Sequence, residues 1–503
     1  MATTLTTGNP WRVILLFTVP LMIGNVVQQL YQFADTVVVG RLLGVNALAS
    51  VGATGGLLFL LLGFAWGLTA GFAIPTAQAF GAGDLRAVRR SVASGAILSG
   101  IVSVFLTAGA PFLAEPALVL LQTPEELLPD ATVFTQISFV GGGALMFFNF
   151  LAAVIRAIGD SRTPLIFLIV SSVLNVILVV VAIAGLGWGV GGAAWATVAA
   201  QSVSVLLCLV YVRRRLPALH LHRDDWRVTR ADLSQHLRLG LPMGFQASII
   251  AIGALAVQIR LNGLGAEAVA AYTAASRVDS VAVALLQSLS LGVSMYVAQN
   301  YGAGRPDRIR RGVVQAVWMA IIGAAVLGVI MVTTGGTLVR VFVGDGSPEV
   351  VDLAVAMLLI NGCTYAVLGV LFVTRGALQG LGSTVIPTVT GLIELVARVG
   401  AAVLLGAAFG FVGVAWSNPL AWIGAVVILI PAYARAHRRL ATMPSAPREV
   451  TATTPIPIVG PTDGSMTIET VVTQPVRLPV PASGLRRRLR TRRERSTGAQ
   501  SGV

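Results

Sequence analysis

Few ionisable side chains lie inside the long apolar stretches of this sequence, and Asp35 is the clearest of them. It falls in QQLYQFADTVVVG, within an apolar run from about residue 13 to residue 39. A carboxylic acid in apolar surroundings can hold a proton close to neutral pH, and its ionised form attracts a cation. A group that holds either a proton or a cationic ligand, but not both, is sufficient to exchange one for the other.

Glu394 and Arg398 form a second set of charges in another apolar run, four residues apart. Two residues at this spacing share one face of a helix, so an acid and a base there are expected to pair. The pair is interpreted either as a buried structural contact or as part of a cavity lining. If paired, Glu394 is a poor coupling group, because an arginine partner keeps a carboxylate ionised.

Uncharged polar side chains also lie in the apolar runs of the first half of the chain. Such groups often bridge helices within a membrane, each contributing about 1 kcal/mol. The polar candidates are Gln28, Gln29, Tyr31, Gln136, Asn149, Asn175 and Thr197.

No cofactor or metal is expected, because the two cysteines lie far apart and the four histidines lie in polar loops or at a helix end.

The elements that position these residues must be membrane-spanning helices. Hydrophobic residues make up 55% of the 503 residues and charged residues 11%, with a mean hydropathy of +0.83, whereas soluble chains carry roughly 25% charged residues. The apolar runs have the length needed to span a bilayer, about 20 residues or more. We predict twelve helices, near 13–39, 47–79, 91–113, 131–157, 164–185, 190–212, 238–261, 268–299, 311–333, 351–375, 385–407 and 411–434.

The distribution of arginine predicts the orientation of these helices. Sixteen arginines lie in one alternate set of short loops, and three lie in the other set, which carries acidic residues. Since cytoplasmic loops retain basic residues, both termini are expected in the cytoplasm. The net charge of +14 does not indicate nucleic-acid binding, because these residues are spread over loops rather than gathered on a soluble module.

The two halves of the sequence repeat each other. AQAFGAGDLRAVRR, with Gly81, recurs as AQNYGAGRPDRIRR, with Gly302, and GVGGAAWAT recurs as GFVGVAWSN at the same offset. Asp35 has Ala256 as its counterpart, so the repeated scaffold does not require a carboxylate at this position. We predict parallel repeats related by an axis along the membrane normal, with a six-helix lobe at 1–212, a basic linker at 213–237, a second lobe at 238–434 and a tail at 435–503.

These motifs resemble the multidrug and toxic compound extrusion (MATE) family of transporters over about residues 9–440. The resemblance is carried by ADTVVVGRLLGVNALA, by both copies of AQ-x-x-GAG and by GVGGAAWAT. It implies a V-shaped pair of six-helix lobes, alternating access and no use of ATP. In the proton-coupled branch it further implies a first-helix aspartate as the proton site, matched by Asp35, with a network and a helix bend matched by Tyr31, Asn175, Thr197 and Pro20.

The sequence departs from the family pattern at two places. Val179 occupies the position where the proton-coupled branch often has a second aspartate. Ile250 and Leu368 stand where the sodium-coupled branch carries acidic residues. Coupling is therefore expected to rest on Asp35, and sodium remains the alternative coupling ion.

The resulting prediction is a secondary multidrug exporter that exchanges amphipathic cations for protons in a bacterial plasma (inner) membrane, in contact with lipid and acting as a monomer. The resemblance also implies membership of a larger superfamily that includes flippases of lipid-linked oligosaccharides. A flippase of lipid-linked precursors is therefore the alternative, and it would favour a basic cavity and often fourteen helices. A membrane enzyme would need His, Asp or Glu clustered at the membrane interface, which the sequence lacks. The arginine-rich tail is expected to be disordered, drawn to anionic lipid and dispensable for transport.

Overall fold

The protein is described by a computed structural model that covers residues 4–343 and 348–445. Within these residues the chain is almost entirely α-helical, with a few short 3-10 and π turns. The predicted tail beyond residue 445 lies outside the described residues. The helices are α1 (Pro10–Leu43), α2 (Val45–Gly81), α3 (Leu85–Val104), α4 (Ala114–Leu120), α5 (Leu128–Val140), α6 (Gly142–Ala157), α7 (Arg162–Val180), α8 (Gly189–Arg215), α9 (Arg230–Asn262), α10 (Ala266–Gly302), α11 (Pro306–Val343), α12 (Pro348–Gly380), α13 (Val385–Ala415) and α14 (Ser417–Ala441).

Eleven helical stretches of the described chain are long and apolar enough to cross a membrane. The α5–α6 pair, bent by 44° between Val140 and Gly142, makes a twelfth when it is counted as one span. Helices are the favoured spanning element because they satisfy their own backbone hydrogen bonds in lipid. The all-α membrane architecture predicted from the apolar runs is therefore confirmed.

Local sequence explains where several helices begin. Pro10 occupies the first turn of α1, where its missing N–H removes no helical hydrogen bond. Asp84 caps α3 by accepting from the amides of Arg86 and Ala87. Thr229 and Asp232 form a reciprocal capping box at the start of α9.

The last two helices, α13 and α14, both end later than the sequence predicts. Gly410 has a left-handed φ of 60° inside α13, a conformation that glycine adopts without a side-chain clash. The chain therefore turns there, between the predicted helices 385–407 and 411–434. α14 continues to Ala441, past the expected end of the last lobe.

The first half, α1 to α8, packs against the second half, α9 to α14, through equivalent helices. α2 contacts α9, and α10 contacts α1. Gly71 of α2 lies so close to Gly240 of α9 that an added Cβ would overlap its backbone, and Gly292 of α10 lies equally tightly against Thr18 of α1. Gly71 and Gly292 are counterparts in the sequence repeat, so the repeat extends to the contact between the halves.

The connection between the halves consists of two short 3-10 turns, Pro217–Leu219 and Arg223–Trp226. Asp225 fixes it to α3, because its carboxylate lies 3.2 Å from Nε of Arg89. The same carboxylate accepts a hydrogen bond from the amide of His222. These contacts hold the pKa of Asp225 below its usual range, with the amide bond from His222 as the largest cause and the charge of Arg89 adding to it.

Candidate functional site

Asp35 lies on α1 and is half-buried. Its Oδ1 atom is buried, and none of the described residues donates a hydrogen bond to it. Buried carboxylate oxygens normally have a donor, because leaving one unpaired carries its full desolvation cost. Asp35 is therefore the polar group of this region that is best placed to accept a proton or a cation.

A network of three side chains links α1 to α7 and α8 one turn before Asp35. The hydroxyl groups of Tyr31 and Thr197 are 3.5 Å apart. Asn175 donates from Nδ2 to Oγ1 of Thr197 at 3.0 Å, and its own Oδ1 is buried without a donor among the described residues. The structure thus brings together Tyr31, Asn175 and Thr197, with Asp35 close enough to act electrostatically on Tyr31.

Two further candidates on α1 lie outside this network. Gln28 is exposed, and no hydrogen bond joins its side chain to the described residues; its role as a cavity-lining residue stays a prediction. Pro20 is buried, and α1 runs through it as one continuous helix, so bending at Pro20 also stays a prediction.

The neighbouring amides of α1 contact the second half instead. Gln29 donates from Nε2 to Oγ of Ser280 at 2.9 Å, and Asn25 donates from Nδ2 to Oγ of Ser288 at 2.8 Å. Both serines belong to α10. The helix that carries Asp35 is therefore joined directly to the second half.

The expected pairing of Glu394 with Arg398 is wrong. Glu394 accepts a hydrogen bond from Nη2 of Arg375 on α12, and both side chains are buried. Positions four apart on a helix are offset by about 40° around its axis, so two neighbouring side chains can turn to different helices. Glu394 faces α12, whereas Arg398 interacts electrostatically with Tyr272 and Asp279 of α10.

Asp279 is a buried carboxylate of the second half that is absent from the site residues predicted from the sequence. Its Oδ1 accepts from the hydroxyl of Tyr365 at 2.6 Å and from Nδ2 of Asn361 at 3.1 Å, and both donors are fully buried on α12. The available signal was a carboxylate within the apolar run 268–299. Arg277 lies two residues before Asp279 in the same run, so Asp279 is not its only charged residue.

The apolar residues that depart from the family pattern are also buried or half-buried in the structure. Val179, four residues after Asn175, is fully buried, and Leu368 on α12 is 2% exposed. Among the described residues, no group of three His, Cys, Asp or Glu side chains is arranged to hold a metal ion.

A bundle of apolar spanning helices in two repeated halves, with isolated carboxylates held between helices, defines a polytopic membrane transporter. The MatE family model matches residues 20–181 and 242–404, one segment in each half. The chain therefore belongs to the MATE family, as its motifs indicated.

Relatives agree with this assignment. The chain is 30% identical over 391 residues to the probable multidrug resistance protein YpnP of Bacillus subtilis, covering 77% of this chain and 86% of YpnP. It is 25% identical to the multidrug export protein MepA of Staphylococcus saprophyticus, covering 80% and 88%. It is also 25% identical to the FAD transporter of Shewanella oneidensis, covering 76% and 85%.

Solved structures show the same fold. An outward-facing multidrug resistance MATE transporter aligns with a TM-score of 0.81 at 22% identity, over 87% of this chain and 98% of that chain. A transporter of the MOP superfamily from Pyrococcus furiosus aligns with a TM-score of 0.80 at 22% identity, over 88% of this chain and 98% of that chain. The protein is thus a multi-pass membrane protein of a multidrug efflux transporter family.

Proposed function

We propose that the protein exports amphipathic cations in exchange for protons, with Asp35 as the group where the two compete. The observation that carries this proposal is the buried Oδ1 of Asp35, which none of the described residues supplies with a hydrogen bond. A proton or a cationic ligand stabilises such an oxygen strongly, because either one offsets the free-energy cost of its burial.

The network beside Asp35 gives this competition a structural consequence. When Asp35 is protonated, the charge facing Tyr31 is removed, and the Tyr31–Thr197–Asn175 contacts can tighten around a neutral helix. When Asp35 is ionised, the same site favours a cation. Each proton moved inward down the membrane potential supplies about 2.3 kcal/mol per 100 mV, which can drive export of the bound substrate.

Proton coupling is supported over sodium coupling by the composition of the second half. Leu368 is apolar and buried, and Ile250 is apolar and half-buried, so these positions offer no oxygen ligand to a sodium ion. The orientation, with both termini in the cytoplasm of a bacterial cell, is supported by the arginine distribution. We further propose that one chain is the transport unit, with α1 to α8 and α9 to α14 as its two lobes.

The proposal is tested with purified protein in vesicles, by measuring ethidium efflux under an imposed pH gradient. Asp35→Asn keeps the size of the side chain and removes its titration, so gradient-driven efflux should fall by about tenfold or more, as for a loss of at least about 1.4 kcal/mol. Asp279→Asn is the matched control, because it removes the same charge from the second half. It should retain dependence on the pH gradient.

Three outcomes would contradict the proposal. Full ethidium export by Asp35→Asn would exclude this residue as the coupling site. Export driven by a sodium gradient at equal pH would exclude proton coupling. Transport of FAD without transport of ethidium would assign an anionic substrate, as the name of the Shewanella relative indicates for that protein.

A further inference from the structure

The repeated AQ-x-x-GAG segments meet at one end of the molecule. They form the ends of α2 and α10, where the two helices touch. A Cβ on Gly81 would overlap the backbone carbonyl of Gln299, and a Cβ on Gly302 would overlap the carbonyl of Gln78. Each glycine thus lets its helix reach the glutamine of the other copy, so the contact is reciprocal.

Each of these glutamines also donates a hydrogen bond across the interface to the opposite half. Gln78 donates from Nε2 to the carbonyl of Gly380 at 3.0 Å, and Gln299 donates from Nε2 to the carbonyl of Ala157 at 2.7 Å. Gly380 and Ala157 are the last residues of α12 and α6. Carbonyl groups in the last turn of a helix lack a partner within that helix, so the glutamines supply the missing donors.

The two bonds are equivalent by the internal repeat. Gln78 and Gln299 occupy the same place in the two copies of AQ-x-x-GAG. Ala157 and Gly380 are separated by the same offset as Pro164 and Pro387, the prolines that follow them in the two halves. The duplicated unit has therefore generated the same contact twice, once in each direction. We use the term glutamine clasp for Gln78, Gln299, Ala157 and Gly380.

The half of the clasp at Gln299 is reinforced by the segment before α1. The amide of Leu5 donates to Oε1 of Gln299 at 2.9 Å, and Asn300 donates from Nδ2 to the carbonyl of Leu5 at 3.2 Å. Arg308 donates to the carbonyl of Gly8 at 2.8 Å. Leu5 and Gln299 are both buried, so the segment from Leu5 to Gly8 lies over this bond and leads directly into the helix that carries Asp35.

We propose that the glutamine clasp is the gate that closes this end of the transporter, and that the N-terminal segment from Leu5 to Gly8 locks its Gln299 half. The clasp uses neutral amides and helix-end carbonyls, which water can satisfy when the halves separate, so it opens without exposing an unpaired charge. Assigning this end to the cytoplasm rests on the proposed function.

The test measures the distance between the halves at this end by pulsed electron paramagnetic resonance on the full chain in nanodiscs. Spin labels are placed at Arg162→Cys and Val385→Cys, the exposed first residues of α7 and α13, which are equivalent positions at the clasp end. The exposed Cys363 is replaced by serine. This measurement needs neither a substrate nor an ion gradient.

Gln78→Leu and Gln299→Leu should each raise the population with the longer distance by about fivefold, as expected for the loss of one net hydrogen bond. The double variant should multiply the two effects. Gln258→Leu is the matched control, because the Gln258 amide bonds to Asn262 within one half, and it should leave the distances unchanged. Gln78→Asn and Gln299→Asn, which keep the amide and shorten its reach, serve where a leucine variant does not fold.

Removal of residues 2–7 provides the second arm of the test. It should raise the open population in the wild type and in Gln78→Leu, and have no further effect in Gln299→Leu. Unchanged distances in Gln78→Leu/Gln299→Leu would overturn the clasp, and an equal effect of the deletion in both single variants would overturn the lock. A clear distance shift together with export that does not depend on protons would overturn the proposed coupling and leave the clasp intact.

Discussion

At the scale of single residues, the buried charges show what one sequence can and cannot reveal. Asp35 could be identified because it is the only charged residue of the apolar run 13–39 and its counterpart in the repeat is alanine. The partner of Glu394 could not, because Arg375 and Glu394 are brought together by the packing of α12 against α13. Spacing along one helix carries no information about that contact.

A prediction follows for the Arg375–Glu394 pair. Glu394→Gln should lower the free energy of unfolding by about 3–5 kcal/mol, because it leaves the buried guanidinium of Arg375 without its counter-charge. Adding Arg375→Met should recover most of this loss. The measurement is thermal unfolding of the purified protein in detergent, for both single variants and the double variant.

Arg398 supplies the control for this cycle. Combined with Glu394→Gln, Arg398→Met should be additive, since its electrostatic partners are Tyr272 and Asp279. Strong coupling between Glu394 and Arg398, together with independent effects at Arg375, would restore the pairing expected from the sequence.

At the scale of the elements, apolar runs and arginine positions predict the helices well because a membrane demands both length and apolar composition. They predict the break at Gly410, which falls between the predicted helices 385–407 and 411–434. They do not predict the bend between α5 and α6, since glycine-rich apolar sequence is compatible with a straight helix. Nor do they predict which helices of the two halves touch, which depends on close approach at glycines such as Gly71.

The close approach of Gly71 to Gly240 leads to a specific prediction about the α2–α9 contact. Gly71→Ala should destabilise the protein by about 1–3 kcal/mol, because the new Cβ must displace the backbone at Gly240. Gly52→Ala, on the same helix with no atom within 4 Å of the added Cβ, should instead stabilise it by about 0.5–1 kcal/mol. Melting temperatures of both variants decide this, and equal effects would show that helix contact is unimportant at Gly71.

The linker gives a pH-dependent prediction. Contacts with His222 and Arg89 lower the pKa of Asp225 in the folded protein. They therefore stabilise the fold at pH values above the pKa of this group in the unfolded chain, about 3.9. That stabilisation is lost as the pH falls through the lower folded pKa. Asp225→Asn should therefore cost about 1 kcal/mol at pH 7, and the difference from the wild type should shrink below about pH 4.

Fluorescence of the exposed Trp226 next to Asp225 reports on the linker, and thermal unfolding at several pH values reports on the whole protein. Arg223→Gln serves as the control, since it changes a linker charge that forms no ion pair with the described residues. A difference between Asp225→Asn and the wild type that stays constant from pH 7 to the acid range would contradict the ionic origin of this contact.

At the scale of the whole molecule, the two halves share the residues that join them but differ in the positions of their buried carboxylates. The glycines and glutamines that join the halves recur at the offset of the sequence repeat, whereas the aspartates of α1 and α10 do not. Asp35 has Ala256 as its counterpart, and Asp279 has Leu58. The contacts that join the halves are therefore symmetric, while each half holds its carboxylate among different partners.

This arrangement also constrains the topology, and it supports a final prediction. Leu5 contacts Gln299 at one end of the bundle, and Ser445 bonds to Asp307 in the first turn of α11, just beyond Gln299 along the chain, so both described ends of the chain lie on one side. That side carries the arginine-rich loops, which are retained in the cytoplasm. A reporter fused after Ser445 should be cytoplasmic, and one inserted near Thr123 should be external, as judged by enzymatic reporters active on opposite sides of the membrane. A fusion after Ser445 that is active outside the cell would reverse the orientation and place the glutamine clasp at the outer surface.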